Sequence, residues 1–304
     1  MQYFPLFVDT QSLKVVIVGA GDVASRKLDL LCRTEAVITV VAPEVSDEVL
    51  AYAKQGRIAL EQRPVEAEDI EGISLLYMAT ADEQLNQHYA EVASSKGVWV
   101  NVVDSPELCR FITPSIVDRG RLIVAISTAG AAPVFARDLR AKLESLLSPS
   151  IAPLFDFIAS KRAEVQSRLP VFKQRKLFWE RFFTVNGEQF DTQTSALYEQ
   201  CFSELDAAGE LLLLDEQADA QLLPIAILPV LQKIDAIYST QALKPSLLEL
   251  LRRDAQRCKY QSIDELTPLL DTGEKILVVA PNATLTNLKT VYQQAKQIQV
   301  GHIA

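Results

Sequence analysis

A turn with the pattern G-x-G-x-x-A spans residues 19 to 24, with the sequence Gly19-Ala20-Gly21-Asp22-Val23-Ala24. In this pattern the first glycine permits a tight turn, the second lets the backbone approach a pyrophosphate, and the third small residue lets a helix pack closely on a strand. The free N–H groups and the dipole of a helix N-terminus favour an anion at this place. Because the β-branched run Val15–Val18 precedes the turn and helical spacing follows it, we predict a dinucleotide site.

The end of the second predicted strand indicates which dinucleotide would bind. An acidic side chain about 20 positions beyond the glycines usually binds the adenosine ribose. Here the strand ends in Val41-Ala42-Pro43, and Glu44 is the nearest carboxylate. No arginine takes its place, so a 2′-phosphate would find no partner. The sequence therefore favours NAD over NADP.

A carboxylate, Asp104, directly follows the strand predicted over Val98–Val103. Ligands of parallel α/β sheets bind at the carboxyl ends of the strands, so Asp104 is a candidate acid or base. The alternative interpretation is a turn aspartate that precedes Ser105-Pro106.

The elements that must position these residues alternate between strand and helix over the first hundred residues. This alternation predicts right-handed βαβ crossovers and a parallel sheet. The predicted strands are Val15–Val18, Val37–Val41, Leu60–Pro64, Leu75–Ala79 and Val98–Val103, and the predicted helices are Val23–Arg33, Glu48–Gln55 and Glu83–Lys96.

The pattern changes after Phe111. A strand over Leu122–Ser127 and a long helix over Ala132–Leu147 are predicted, and residues 148 to 202 have helical spacing with breaks at Pro153 and Pro170. We interpret the aromatic side chains of that stretch as helix core or interface. An α/β alternation then returns, with predicted strands over Leu211–Leu214, Ala236–Tyr238 and Ile276–Val279.

Composition excludes several classes of protein. The 304 residues are 49% hydrophobic and have a formal charge of −9, which disfavours nucleic-acid binding. The longest apolar stretch, Leu222–Leu231, is interrupted by two prolines and is too short to span a bilayer, and no secretory signal is recognisable. Four widely spaced cysteines and two histidines predict no metal site. We expect a cytoplasmic protein that binds neither membrane nor nucleic acid.

Five short motifs follow one another in the first 130 residues. They are Gly19-Ala20-Gly21-Asp22-Val23-Ala24-Ser25-Arg26-Lys27, Ala79-Thr80-Ala81-Asp82, Asn101-Val102-Val103-Asp104, Phe111-Ile112-Thr113-Pro114-Ser115 and Ser127-Thr128-Ala129-Gly130. With these motifs, residues 1 to about 205 resemble the dehydrogenase–chelatase module of sirohaem synthase.

The resemblance implies an NAD-dependent oxidation of the tetrapyrrole precorrin-2 to sirohydrochlorin. It also implies insertion of ferrous iron, as a substrate, to give sirohaem, and a homodimer built through the middle segment. Asp104 corresponds to the catalytic aspartate of the family, and we expect it to act as general base. The residues expected to contact NAD are Gly19, Ala20, Gly21, Asp22, Val23, Ala24, Ala42, Pro43, Thr80, Ala81, Asn101 and Val103.

A polycarboxylate substrate requires a local basic cluster in an acidic protein, and arginine suits bidentate carboxylate binding. We expect at least two of five arginines to contact the substrate; for any single one, a solvated helix face with pairs such as Arg140 with Glu144 is the alternative. Thr128 would orient substrate or cap the following helix. The predicted substrate-binding residues are Arg110, Arg119, Arg121, Thr128, Arg137 and Arg140.

The tail resembles the beginning of the methyltransferase domain that follows in full-length sirohaem synthases, although the chain ends at Ala304, well before such a domain would finish. No glycine occurs between Glu210 and Thr272, and the two expected glycine loops are replaced by residues 215–219 and 280–283. We therefore predict no S-adenosylmethionine binding and no methyltransferase activity.

The predicted fold class is α/β, with an N-terminal Rossmann-type parallel sheet, a helical dimerisation and substrate segment, and a small degenerate α/β C-terminal domain. The expected boundaries are 1–113 for the NAD-binding domain, 114–205 for the helical domain and 206–304 for the remnant. Two alternative functions remain open at this point. One is a dehydrogenase without chelatase activity, since no histidine cluster is present to bind iron. The other is a non-catalytic NAD-sensing dimer, which would not need Asp104 as a base.

Overall fold

A computed structural model of the chain describes residues 2–203 and 209–300. The chain divides into two compact units, Met1–Pro149 and Ser150–Ala304. The boundary between them falls inside the predicted helical domain, and the three-domain division stays a prediction.

A five-stranded parallel sheet forms the centre of the first unit, with the strand order β3-β2-β1-β4-β5. The chain order of the strands reverses between β1 and β4, which is the point where doubly wound folds bind dinucleotides. The strands are β1 Lys14–Val18, β2 Val37–Val41, β3 Ala59–Glu61, β4 Leu75–Met78 and β5 Trp99–Val102.

Helices cover both faces of this sheet, because the strands are apolar on both sides. Buried Ala24 and Leu28 of α1 pack on one face with Ile17 and Val40, while Tyr89 and Ala93 of α3 pack on the other. The helices are α1 Asp22–Leu31, α2 Asp47–Lys54 and α3 Glu83–Ser95.

An antiparallel hairpin and a helix complete the first unit. The hairpin consists of β6 Ser115–Arg119 and β7 Leu122–Ile126, and α4 spans Pro133–Leu146. Strand β6 was absent from the sequence-based assignment.

The second unit begins with three helices around an aromatic core. Phe178 and Phe182 are buried, as expected, and both contact the buried ring of Tyr198, whereas Phe172 and Phe183 are exposed. The helices are α5 Ile151–Arg168, α6 Phe172–Asn186 and α7 Thr194–Gln200. The break expected at Pro153 was wrong: this proline lies in the first turn of α5, where its missing N–H costs no hydrogen bond.

A second parallel sheet follows, with the strand order β10-β9-β11-β8-β12. Its strands are β8 Glu210–Asp215, β9 Ala236–Ser239, β10 Gln256–Lys259, β11 Lys275–Ala280 and β12 Lys296–Gln297. Its helices are α8 Leu228–Leu231, α9 Pro245–Leu248, α10 Thr267–Asp271 and α11 Asn282–Val291. The predicted α/β class and the N-terminal parallel sheet are confirmed. Among the helices that the structure describes, none has the length and apolar content needed to cross a membrane.

Candidate active site

The fold of the chain requires a glycine at position 19. It follows β1 with φ of +102°, a conformation that residues with a Cβ rarely adopt. A Cβ at this position would lie 2.5 Å from the carbonyl oxygen of Ala79, which follows β4. The first glycine therefore serves the turn, as the sequence predicts, and also allows the close approach of the next strand.

Gly21 stands in a different environment. It is the N-cap residue of α1, no side chain caps this helix end, and a Cβ would meet no atom within 4 Å. Nothing in the folded chain demands a glycine here, whereas a phosphate close to the backbone would. The open space and the uncapped helix N-terminus fit the pyrophosphate of a dinucleotide.

The adenosine end of such a cofactor would lie near the end of β2. Ala42 is buried and Pro43 is exposed at this edge. Arg63, the nearby arginine beyond β3, donates two hydrogen bonds to Asp69, at 2.7 and 2.8 Å. Its guanidinium is therefore engaged and does not offer a ready partner to a 2′-phosphate.

Thr80 lies in the loop between β4 and α3. Its hydroxyl lies 2.7 Å from the Oδ1 of buried Asn86, and the amide of Asn86 donates to the Thr80 carbonyl at 2.9 Å. Ala81 follows in the same loop, and Asp82 caps α3 by accepting from the N–H of Leu85. These bonds fix the loop on the opposite side of the switch point from Gly21.

Asp104 is exposed two residues beyond β5 and adopts φ of +60°. Aspartate tolerates this left-handed conformation better than most residues, and such conformations recur at functional sites. The N–H of the preceding residue, Val103, donates to the carbonyl of Met78 at the end of β4. The carboxylate thus stands at the carboxyl edge of the sheet, as predicted.

Asn101 and Cys109 hold the segment after Asp104 against β5. The side-chain amide of Asn101, a predicted cofactor ligand, donates to the carbonyl of Phe111 at 3.0 Å. The Cys109 thiol exchanges hydrogen bonds of 3.2 Å with the backbone of Val102, and burial raises its pKa. A neutral, hydrogen-bonded thiol of this kind has a structural role.

Lys27 was missed as a site residue by the sequence reasoning. Its ammonium lies half-buried, 3.4 Å from the Thr113 hydroxyl and 5.6 Å from the centre of the Tyr77 ring. Burial lowers its pKa, and the nearby Cys109 partly opposes this effect. The signal was present in the spacing, because Lys27 lies one turn beyond buried Ala24 on the inner face of α1.

The predicted substrate arginines differ in how far they are engaged. Arg119 donates to the carbonyls of Leu147 and Glu144, both at 3.0 Å, and forms a 2.6 Å ion pair with the Glu144 carboxylate. It therefore caps the C-terminal end of α4, in accord with the helix dipole. Arg137 pairs with Asp138 at 3.1 Å.

The alternative pairing of Arg140 with Glu144 was wrong. Glu144 is taken by Arg119, and within residues 2–203 and 209–300 no ion pair of Arg140 is found. Arg110 and Arg140 are both exposed. Arg121 interacts with another group of the protein.

Thr128 lies in the loop before α4, and its hydroxyl accepts from the N–H of Ala132, the N-cap residue, at 3.1 Å. The next residue, Ala129, has φ of +53°. Among the residues that the structure describes, no side chain caps the first turn of α4, so Thr128 orders the loop before the helix, and the expected capping role was wrong. Whether it also contacts substrate stays a prediction.

The loops that replace the glycine motifs of the tail are joined to each other. The side chain of Asn282, at the start of α11, donates to the carboxylate of Asp215 at the end of β8. The other Asp215 oxygen accepts from the N–H of Gln217 at 2.8 Å. A polar side-chain contact thus bridges the two loops, and the absence of S-adenosylmethionine binding stays a prediction.

Comparison with known proteins agrees with this arrangement. An NAD(P)-binding family matches residues 6–115, which places the first sheet in the class of dinucleotide-binding Rossmann folds. A family described as sirohaem biosynthesis protein central matches residues 119–146, and the sirohaem synthase dimerisation region matches residues 150–192.

Two similar proteins are siroheme synthases. The chain is 39% identical over 266 residues to that of Pseudoalteromonas atlantica and 35% identical over 267 residues to that of Nitrosococcus oceani. The alignments cover 84% of this chain, and 58% and 57% of those two proteins. The chain thus spans somewhat more than half the length of these relatives. Because the alignments are longer than 205 residues, the similarity extends beyond the segment 1 to about 205 over which the sequence analysis places the resemblance.

A solved structure of SirC, a precorrin-2 dehydrogenase, has the same fold with a TM-score of 0.57 at 24% identity. It covers 66% of this chain and 100% of its own. Taken together, the ordered domain matches and the similarity over 84% of this chain show that the chain belongs to the sirohaem synthase family.

Proposed function

We propose that the protein oxidises precorrin-2 to sirohydrochlorin with NAD. The observation that supports this most directly is the geometry of Asp104, an exposed carboxylate in a left-handed conformation at the same sheet edge as the open turn at Gly21. A dinucleotide and a base would meet at that edge.

The chain contributes binding, orientation and a proton acceptor. The α1 N-terminus and the backbone at Gly21 would hold the pyrophosphate, while the loop at Thr80 and the Asn101–Val103 strand end would border the nicotinamide. NAD, when bound, accepts the hydride. The Asp104 carboxylate takes the proton that leaves the macrocycle, so that two electrons and one proton pass to NAD and one proton to the protein. The engaged state of Arg63 supports NAD over NADP.

We further propose that sirohydrochlorin then receives ferrous iron, which enters as a substrate. The named activity of the relatives, siroheme synthase, supports this step. The macrocycle supplies four nitrogens and loses two N–H protons when the iron enters. Asp104 would accept one of these protons and release it to water before the second leaves, so that both protons end in the solvent. A dehydrogenase without chelatase activity is the alternative.

The substrate side chains are expected to meet the exposed arginines Arg110 and Arg140, with Arg121 and Arg137 nearby in sequence. The protein is proposed to act as a cytoplasmic homodimer through the segment that matches the dimerisation region, residues 150–192.

The test is an anaerobic assay of the purified chain with precorrin-2 and NAD, in which NADH and sirohydrochlorin absorbance are followed together. We expect equal amounts of both products, and on the order of a hundredfold or greater loss of rate in Asp104→Asn. Asparagine keeps the size and the left-handed preference of aspartate, so the variant should fold normally. Asp29→Asn, which removes an exposed carboxylate of α1, is the matched control and should keep the rate.

Ferrous iron is added in a second step, and sirohaem formation separates the bifunctional enzyme from the dehydrogenase alone. If NAD binds but no oxidation occurs, and the NAD response survives in Asp104→Asn, the protein is an NAD sensor rather than an enzyme.

A further inference from the structure

The second sheet has a cavity at the carboxyl ends of β9 and β10. Its volume of about 560 Å³ is that of a site for a small organic molecule. Ser239 and Lys259 both line it, and they are the last residues of the two strands and are paired in register. Ligands of parallel α/β sheets bind at this edge.

The charges lining this cavity are positive. Arg257 and Lys259 lie in its wall, and none of the described residues adds a carboxylate to it. Both side chains belong to exposed residues, and in the parts of the chain that the structure describes neither forms an ion pair. Two uncompensated cations in a concave site attract an anion, even though the whole chain carries a charge of −9.

The carboxylate found next to the loop after β9 is that of Glu216, and it is engaged with neutral donors. One of its oxygens accepts from the Thr240 hydroxyl at 2.7 Å, and the other accepts from the Gln241 amide at 3.2 Å. These bonds fix the loop that forms one side of the cavity. They leave the two cations available to a ligand.

The remaining wall is apolar. Leu243 and Leu248 line the cavity together with Ala242, and Leu248 is the last residue of α9. A bare inorganic anion would gain nothing from these side chains, whereas a ligand with an apolar body would bury surface against them.

We propose that this cavity is a binding site for an organic anion that combines a carboxylate or sulfonate with an apolar body. Arg257 and Lys259 hold the anionic group, and the leucines contact the body. The site lies wholly in the second unit and uses no residue of the proposed redox chemistry, so either can fail without the other.

The probe is 8-anilinonaphthalene-1-sulfonate, whose fluorescence rises on transfer to an apolar site. Its binding to the full chain is titrated in the wild type, in the double variant Arg257→Gln/Lys259→Gln, and in the control Lys233→Gln/Lys289→Gln. The control removes two exposed lysines of the same unit outside the cavity. We expect the double variant to bind on the order of tenfold more weakly and the control to bind like the wild type.

The apolar wall is tested by Leu248→Ala, which shortens a side chain that lines the cavity. We expect this variant to bind the probe more weakly, by about threefold or more. Inorganic phosphate at the same concentration as the probe should not displace it. The thermal midpoint of each variant confirms that it is folded.

Wild-type probe affinity in the double variant, or in Leu248→Ala, would overturn the proposal. Displacement of the probe by inorganic phosphate at the same concentration would also overturn it, because the apolar wall would then contribute nothing.

Discussion

At the scale of single residues, the two glycines of the turn after β1 perform separate tasks. Gly19 has positive φ and faces the Ala79 carbonyl, so the folded chain cannot accept a side chain there. Gly21 has ordinary φ of −90° and open space around its missing Cβ. Folding and cofactor binding can therefore be separated by substitution at two positions that are only two residues apart.

Gly19→Ala should lower the stability of the first unit by about 3 kcal/mol, because it combines a left-handed alanine with a backbone clash. Gly21→Ala should cost only about 1 kcal/mol or less, the usual difference between the two residues at an N-cap. Its Cβ should nevertheless weaken NAD binding on the order of tenfold or more, because it projects toward the pyrophosphate.

Calorimetry of unfolding and of NAD binding measures both effects. A stable Gly21→Ala variant that binds NAD like the wild type would show that the open turn does not contact the cofactor.

At the scale of elements, α1 connects the dinucleotide turn to the segment that follows Asp104. Lys27 forms this link through Thr113, and its half-buried ammonium also lies over the ring of Tyr77 in β4. Desolvation lowers the pKa of Lys27 below its ordinary value of 10.5. Between the lowered pKa and 10.5, the unfolded chain binds more protons than the folded chain, and stability therefore rises with pH through this window.

Lys27→Met removes this dependence. We expect the wild type to gain stability relative to the variant as the pH rises from 7 toward 10.5, whatever the difference between them at neutral pH. Thermal midpoints at pH 7 and pH 10 give the two differences. Lys54→Met, on the exposed side of α2, controls for the loss of one cation. If the stability of the wild type relative to Lys27→Met fell between pH 7 and pH 10, the result would contradict the burial argument.

Helix α6 makes a similar link in the second unit, but through ion pairs. Asp235, just before β9, accepts from Lys176 of α6 and from Arg252, and its second oxygen accepts from the N–H of Lys275. Lys275 also pairs with Glu180 of α6. These bonds attach α6 to the amino ends of strands β9 and β11 in the second sheet.

Asp235→Asn should lower the stability of the second unit by about 1–3 kcal/mol, because it leaves two half-buried cations with one partner fewer. Asp254→Asn removes an exposed partner of the same Arg252 and should have a much smaller effect. Differential scanning calorimetry compares the two, and 1 M salt should shrink the effect of Asp254→Asn more than that of Asp235→Asn. Equal losses in both variants would mean that burial of Asp235 is irrelevant.

Sequence reasoning succeeded where a local pattern determines the structure. The βαβ alternation, the turn at Gly19 and the placement of Asp104 after a strand all depend on neighbours within a few residues. It failed where the partner is remote in sequence. Arg119 binds the end of α4, 25 residues away, and Lys27 meets Thr113, 86 residues away. Sequence periodicity does not predict such long-range contacts. The sequence could therefore name candidate substrate arginines but could not tell which of them are already engaged within the chain.

At the scale of the whole molecule, two parallel sheets of different strand order lie in one chain, and a helical segment with an aromatic core begins the second unit. The aromatic side chains of α6 divide into two groups. Phe178 and Phe182 are fully buried, whereas Phe172 is 76% exposed. An exposed phenylalanine contributes little to the stability of a single chain, but it is typical of a surface that another chain covers.

Phe172→Ser should therefore weaken self-association without unfolding the protein. We expect sedimentation equilibrium to give twice the chain mass of 33.7 kDa for the wild type and a dissociation constant raised on the order of tenfold in the variant. Gln174→Ser, an exposed polar position on the same helix, is the matched control and should associate like the wild type.

Unchanged association of Phe172→Ser would move the interface elsewhere on residues 150–192, and a monomeric wild type would exclude the proposed homodimer altogether. Because Phe172 contacts the Arg175 guanidinium within its own chain, a fall in thermal midpoint must be measured alongside. Only weakened association at an unchanged midpoint assigns this face of α6 to the dimer.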